Sequence, residues 1–233
     1  MSENFALGVY GGYAHGNADL VNDGKIDTNS GKLGGYATFH SGGFYVDGIV
    51  GGGLNSYETR RSVVLGDARG EDDGDEFNGE IATGFDWSIA GFNLGPAEEL
   101  RWATIGFDGF TERGSLAPLR VKGGDEASLQ TMLGFSIARD CRMGRVILRP
   151  EAGAAWKHEF ASNRYEVDAQ LASGAGGIFM TRGPGVGRDG AVLNAGVSLE
   201  WSARCATYFF YDGELGRRSY DSHVISGGMR TSF

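Results

Sequence analysis

The sequence predicts an all-β, antiparallel, up-and-down transmembrane β-barrel of about ten strands, and three features of the chain support this fold class. Apolar and polar residues alternate through ten stretches that are bounded by turn residues. The connections between these stretches alternate between short and long. Glycine accounts for 41 of the 233 residues, well above the average share of about 7%. We therefore expect residues 1–233 to form a single outer-membrane β-barrel domain.

Each predicted strand places apolar residues at every second position, which makes one of its faces apolar. The eighth strand shows this clearly, because Leu193, Val197 and Trp201 alternate with Ser198 and Glu200. The fifth strand alternates poorly, and its faces remain unassigned. The predicted strands are Phe5–Tyr13, Lys32–Phe39, Phe44–Tyr57, Gly79–Ile89, Leu100–Phe110, Ser128–Ile137, Val146–Phe160, Ala191–Trp201, Thr207–Leu215 and Ser222–Phe233.

The two faces of the predicted strands differ in charge. The apolar face lacks charge, whereas the opposite face carries both signs, which fits a hydrated lumen better than the packed core of a soluble barrel or sandwich. These charges either line a passage or pair across the barrel and hold its shape. The predicted lumen-lining residues are Asp47, Glu80, Asp86, Arg149, Glu151, Lys157, Glu200, Glu214 and Arg230.

The connections sort by length. Short ones lie at 40–43, 89–99, 139–144 and 202–206, and long ones lie at 15–30, 58–78, 111–127 and 161–190, while the last, 216–221, is shorter. Bacterial outer-membrane barrels have tight periplasmic turns and long extracellular loops. The pattern predicts that the short turns and the C-terminus are periplasmic and that the long loops are extracellular.

Glycine and aromatic residues have a role in such a barrel. Glycine on a strand lets a barrel bend and leaves room for a bulky neighbour. Aromatic residues near strand ends suit the interfacial belts of a membrane barrel, or they pack against a glycine instead. These aromatic residues are Tyr13, Trp87, Trp156, Trp201 and Tyr208.

Charge and motif content exclude several functions. The net charge of −9 argues against a nucleic-acid partner, which would need a basic surface. The acidic run over residues 70–76 reads as a solvated loop, and its spacing does not match an EF-hand. We therefore expect no cofactor and no metal site.

Several segments of the chain resemble segments of a known protein family in their order and spacing. They are GGYA at 11–14 and 34–37, FYVDG at 44–48, FTERGSL at 110–116, RPEAGAAWKHEF at 149–160 and GGMRTSF at 227–233. With these pieces the chain resembles the C-terminal translocator barrel of autotransporters, the type V secretion proteins of Gram-negative bacteria. The resemblance implies an outer-membrane barrel that anchors and exports an N-terminal passenger.

The resemblance also implies partners. They are outer-membrane lipid, the passenger segment of the complete protein, and the barrel assembly machinery, which would read Met229, Thr231 and Phe233 as a C-terminal signal. The family pattern has twelve strands and a helix in the pore, whereas ten strands are predicted here. We therefore expect the first hairpin, the pore helix and the passenger to be missing, and this chain to act as a truncated or engineered structural barrel or narrow pore.

Two other functions stay open. A ten-stranded outer-membrane enzyme resembling the omptin proteases would need an Asp–His couple at the outer rim, and a simple channel would need an open lumen. His40 falls in a predicted periplasmic turn, His158 and His223 fall on the apolar face, and His15 falls in a loop. Because neither G-x-S-x-G nor H-E-x-x-H occurs, we expect no catalytic residues.

The two cysteines, Cys141 and Cys205, both fall in predicted periplasmic turns, where oxidation is permitted. Strand spacing of about 4.8 Å places these turns about 10 Å apart, beyond the roughly 7 Å that a disulfide spans between Cα atoms. Because turn residues can lean toward each other, a disulfide stays open at this point.

Overall fold

A computed structural model describes residues 4–20, 23–63, 66–161 and 164–232. Among them, no helix is long and apolar enough to cross a membrane. The strands are β1 (Phe5–Leu20), β2 (Gly24–Ser41), β3 (Phe44–Val63), β4 (Gly66–Phe85), β5 (Trp87–Ile89), β6 (Phe92–Phe107), β7 (Leu119–Val121), β8 (Gly124–Arg139), β9 (Cys141–Met143), β10 (Val146–Glu159), β11 (Glu166–Leu171), β12 (Ile178–Arg182), β13 (Asp189–Ser202), β14 (Cys205–Arg217) and β15 (Tyr220–Thr231).

Ten long strands form the main sheet in the order β1–β2–β3–β4–β6–β8–β10–β13–β14–β15. The order follows the chain and the neighbours are antiparallel, as an up-and-down topology requires. The short strands β5 and β9 continue β4 and β8 beyond breaks at Asp86 and Asp140. The predicted fold class and its ten principal strands are confirmed.

The main sheet curls into a half-barrel and does not close within the described residues. β1 pairs with β2 alone, and β15 pairs with β14 alone. Closure between the first and the tenth strand, which an even strand count allows, is therefore not observed. Along both edges, backbone N–H and C=O groups are left without strand partners.

The register keeps apolar side chains on one face of the sheet. Ile81 on β4 lies opposite Leu100 on β6, which lies opposite Thr131 on β8. This pairing assigns the faces of the fifth predicted strand. The apolar face is solvent-accessible in the isolated chain, with Val9 85% and Leu54 76% exposed, and no large side chain among the described residues is fully buried. The chain therefore lacks the packed core on which a soluble sandwich depends.

The predicted loops are partly wrong. All four short connections are two-residue turns, at 42–43, 90–91, 144–145 and 203–204. The predicted loops 15–30 and 58–78, however, consist mostly of strand, because β1 to β4 continue as long hairpins. Their distal parts are polar on both faces, so hydrophobic alternation cannot mark them. We call the strand ends with the two-residue turns the short-turn end and the opposite ends the long-loop end.

Strand β6 begins at Phe92, although the sequence predicted a connection over 89–99. The turn before it consists of Ala90 and Gly91, whose φ angles of 52° and 81° are both positive. Pro96 and Glu98 hide the alternation of this strand. Glu98 lies opposite Leu133, so the apolar face carries an acidic residue near the short-turn end, and the prediction that this face lacks charge is wrong there.

We expect the two faces of the sheet to tolerate charge very differently in a lipid environment. Val197→Arg, or Leu133→Arg, places a cation among acyl chains and should lower the free energy of unfolding by about 2–4 kcal/mol. Ser198→Arg places the same cation on the opposite face and should change it little. Urea titration of the protein refolded into liposomes measures both, and equal losses for the two faces would show the face assignment to be wrong.

Candidate functional site

The charged face of the main sheet, which we call the inner face, is the candidate functional site. A single register row links Asp47 on β3 through Ala82, Glu99 and Met132 to Lys157 on β10. By the same parity the register places Glu80, Arg149, Glu151, Glu200, Glu214 and Arg230 on this face. Asp86 lies in the break between β4 and β5 and lines a cavity with Asp47 and Glu151.

Ion pairs join neighbouring strands on the inner face. Arg101 on β6 contacts Glu80 on β4 at 3.0 Å and Glu99 on its own strand at 2.6 Å. Lys32 on β2 contacts Glu76, two strands away, at 2.5 Å. Sequence reasoning missed Glu99 and Arg101 because the fifth predicted strand alternates poorly. It missed Glu76 because that residue fell in a predicted loop.

A buried charge cluster lies on the inner face toward the long-loop end. The Lys157 Nζ atom is 2.6 Å from Glu214 Oε2, and Arg217 Nη1 is 3.0 Å from Glu214 Oε1. Gly190 on β13 leaves room for the Arg217 side chain. A Cβ atom at position 190 would lie only 2.8 Å from Arg217 Cγ. The side chains of Lys157, Glu214 and Arg217 are only 6%, 13% and 8% exposed. A register shift between Glu214 and Arg217 brings the arginine inward, which parity alone could not predict.

The charges near the short-turn end are more loosely paired. A cavity of about 470 Å³ there is lined by Asp47, Asp86, Arg149, Glu151 and Asn194, among others. Arg149 lies 3.8 Å from Glu151, its partner on the inner face. Long, exposed pairs contribute little to stability, so these groups remain available to water or to a polar segment.

Aromatic rings on the inner face lie against glycines of neighbouring strands. Tyr10 covers both Gly34 and Gly51, and a Cβ atom at either glycine would overlap its ring or hydroxyl group. Tyr208 covers Gly228 in the same way, so this residue faces inward and is not part of an interfacial belt. Similar pairs are Tyr36 with Gly8, Tyr45 with Gly84 and Phe210 with Gly196. Rings that fill glycine gaps do not project into the space enclosed by the sheet.

One histidine, His40, lies on the inner face, where its Nε2 atom is 3.7 Å from Asp47 Oδ1 near the short-turn end. His158 Nδ1 donates a hydrogen bond to Asp189 Oδ1 at 2.9 Å, and Trp156 Nε1 donates to the same oxygen at 3.2 Å. This is an Asp–His couple, but the register places it on the apolar face beside Phe160. His223 lies 2.7 Å from the Tyr211 hydroxyl group on that face too.

Cys141 and Cys205 are both free, because β10 and β13 lie between the strands that carry them. Met229 and Thr231 lie on β15, and Phe233 falls outside the described residues. Within the described part of the chain, no group of three or more His, Cys, Asp or Glu side chains is placed to hold a metal ion.

Residues between the long strands form a second sheet at the long-loop end, in the order β12–β11–β7. The Tyr165 ring, just before β11, packs 6.1 Å from the Phe107 ring at the end of β6. Burial raises the pKa of the Tyr165 phenol above its usual value, and the nearby Glu126 carboxylate raises it further.

The aromatic–glycine pairs should matter for assembly. We expect Gly51→Ala to slow folding into liposomes and to lower stability, because the Tyr10 ring would have to leave two glycines at once. Gly31→Ala is the matched control, since a Cβ atom there meets nothing within 4 Å. Heat-modifiable mobility in gel electrophoresis follows folding, and similar behaviour of the two variants would contradict this role.

The buried charge cluster should respond unequally to its members. Glu214→Gln leaves two buried cations without their carboxylate and should cost on the order of 3 kcal/mol. Lys157→Met should cost less, because Arg217 still pairs with Glu214 and the methionine fills a similar volume. Chemical unfolding of both variants in detergent measures the difference, and a larger loss for Lys157→Met would rule this arrangement out.

Comparisons with known proteins agree with this architecture. The chain matches the family model described as the autotransporter beta-domain over residues 1–212. It is 24% identical over 232 residues to an extracellular serine protease of Serratia marcescens and 23% identical over 187 residues to outer membrane protein A of Rickettsia rickettsii. These matches cover 97% and 73% of this chain but 19% and 8% of the relatives, so the chain spans less than a fifth of their length.

Solved structures share the fold. The translocator domain of autotransporter NalP from Neisseria meningitidis matches with a TM-score of 0.79 at 18% identity, covering 100% of this chain and 76% of that one. The beta domain of the Bordetella autotransporter BrkA matches with a TM-score of 0.76 at 21% identity, covering 98% and 83%. With the family model matching nearly the whole length, this chain belongs to the autotransporter beta-domain family.

Proposed function

We propose that this chain is the outer-membrane part of an autotransporter, which anchors an N-terminal passenger and lets it cross along the inner face. The observation that carries this proposal is the separation of the two faces across ten strands. The apolar face suits acyl chains, and the inner face offers charges of both signs to a hydrated segment. Family membership supports the same role.

The inner face is suited to an extended segment. Its aromatic rings lie in glycine gaps, and its best-paired charges are tied to the wall in the Lys157–Glu214–Arg217 cluster. The loosely paired charges remain near the short-turn end. A passenger segment would enter there if that end is periplasmic, and the long loops would then be extracellular.

The proposal includes two partners besides the passenger. Lipid would cover the apolar face, where Leu33 and Ile225 are 71% and 69% exposed. The barrel assembly machinery would read the last strand, where Met229 and Thr231 lie on the apolar face. β15 pairs with β14 alone, so the backbone groups along its other edge stay accessible during assembly.

We infer a non-enzymatic role for this chain. His158 with Asp189 lies on the apolar face, where its neighbours are aromatic rings. His40 with Asp47 is a longer and more exposed contact of 3.7 Å at the short-turn end of the inner face. The protease name of the Serratia relatives describes proteins of which this chain covers a fifth or less. A narrow structural pore without export remains the second candidate, favoured by the buried charge cluster that braces the wall.

An export assay tests the proposal. The full chain is expressed behind a periplasmic secretion signal and an epitope-tagged passenger, and antibody binding to intact cells is measured. We expect surface exposure of the epitope from the unchanged chain and less from Val197→Arg, which destabilises the inserted barrel. A heat-modifiable barrel in the outer membrane whose epitope stays in the periplasm would support the structural pore and contradict export.

A further inference from the structure

The loop after β6 runs along the distal part of β4 and joins the two sheets. Arg69 on β4 and Arg113 exchange two backbone hydrogen bonds of 2.9 and 2.8 Å. Phe110 and Val121 exchange another pair, which connects the same segment to β7. Hydrogen bonding therefore continues from β4 through residues 110–113 to β7, β11 and β12.

One buried ion pair fixes this loop to the β3–β4 hairpin. Arg61 donates from Nε to Glu112 Oε1 at 3.0 Å and from Nη2 to Glu112 Oε2 at 2.6 Å. The Leu119 backbone N–H donates to the same Oε2 atom at 2.8 Å, and the Glu112 side chain is only 7% exposed. Such bidentate, partly buried pairs hold a defined geometry.

The loop continues the sheet beside β4 and turns its Phe110 and Glu112 side chains toward the inner side. Arg61 has the same parity as Asn55, and Gly70 and Asp72 on β4 have the same parity as Glu76. The Phe110 ring covers Gly70 so closely that a Cβ atom there would overlap it. Asp72 Oδ1 accepts the Gly109 backbone N–H at 2.9 Å. The Phe110 and Glu112 side chains therefore lie on the inner side of the sheet. The Tyr165 ring packs against Phe107, which has inner parity, so the segment before β11 lies over the long-loop end of that face.

We propose that Arg61 and Glu112 form a latch that holds the β7–β11–β12 sheet over the long-loop end of the inner face, so that breaking the pair uncovers that end. Arg61 is 42% exposed, so water reaches the latch and the pair can open without unfolding β3 or β4. The latch is a property of the chain alone. Only its consequence, control of the exit of a passenger, rests on the proposed function.

Hydrogen exchange of the refolded full chain tests the latch without any passenger. Arg61→Gln and Glu112→Gln should each speed amide exchange in residues 108–122 and 166–182 at least tenfold, while β13 stays protected. Arg60→Gln is the matched control, because Arg60 points to the other face and its pair with Asp67 is long, 3.4 Å, and half exposed. The charge swap Arg61→Glu with Glu112→Arg should restore most of the protection.

Unchanged exchange in both single variants, or an equal increase in Arg60→Gln, overturns the latch, as does a swap that restores nothing. Uncovering is measured separately, by labelling Asn78→Cys with a polar maleimide in the detergent-refolded protein, in a Cys141→Ser, Cys205→Ser background. Labelling should be several times faster with Glu112→Gln, and an unchanged rate would show that the sheet does not cover the inner face. Amide exchange and maleimide labelling can both be measured even if export fails in the epitope assay, so failure of the latch and failure of the proposed function are distinguishable.

Discussion

The structure depends on a continuous ladder of antiparallel pairing between neighbouring strands. Because side chains alternate with a period of two, a slip of one residue in any pair would exchange the two faces of every strand beyond it. No such slip occurs between β1 and β13, where each pair keeps a single register. Apolar and charged surfaces therefore remain separate around the whole curve.

The inner face shows how such a wall can be both charged and smooth. Carboxylates form ion pairs with cations on their own or neighbouring strands, as Glu80 does with Arg101. Aromatic rings lie in gaps that glycines leave, as Tyr10 does over Gly34 and Gly51. The ion pairs and the aromatic–glycine contacts both hold side chains against the sheet. The aromatic–glycine contacts also account for part of the high glycine content, because glycines such as Gly8, Gly51 and Gly196 leave space for a neighbouring ring and do not form turns.

The sequence was enough to predict the fold class, the number of principal strands and the side of the sheet on which the charges lie. Alternation carried that information wherever one face is apolar. It failed for distal β1 to β4, where both faces meet water, and for β6, where Pro96 and Glu98 interrupt the pattern. For Tyr208 the sequence left an interfacial belt and packing against a glycine both open, and the ring packs against Gly228. The Arg61–Glu112 contact joins residues 51 positions apart, and no local pattern encodes such a pair.

The two unpaired edges have an energetic consequence within a bilayer. Each backbone amide that meets hydrocarbon without a partner costs several kcal/mol, and β1 and β15 each present a row of them. A solitary open sheet is thus unstable in lipid, and any form that persists there must satisfy both rows. The rims can meet each other, recruit further strands or join a second molecule. Embedding this polypeptide in a membrane and completing its perimeter are consequently one thermodynamic event.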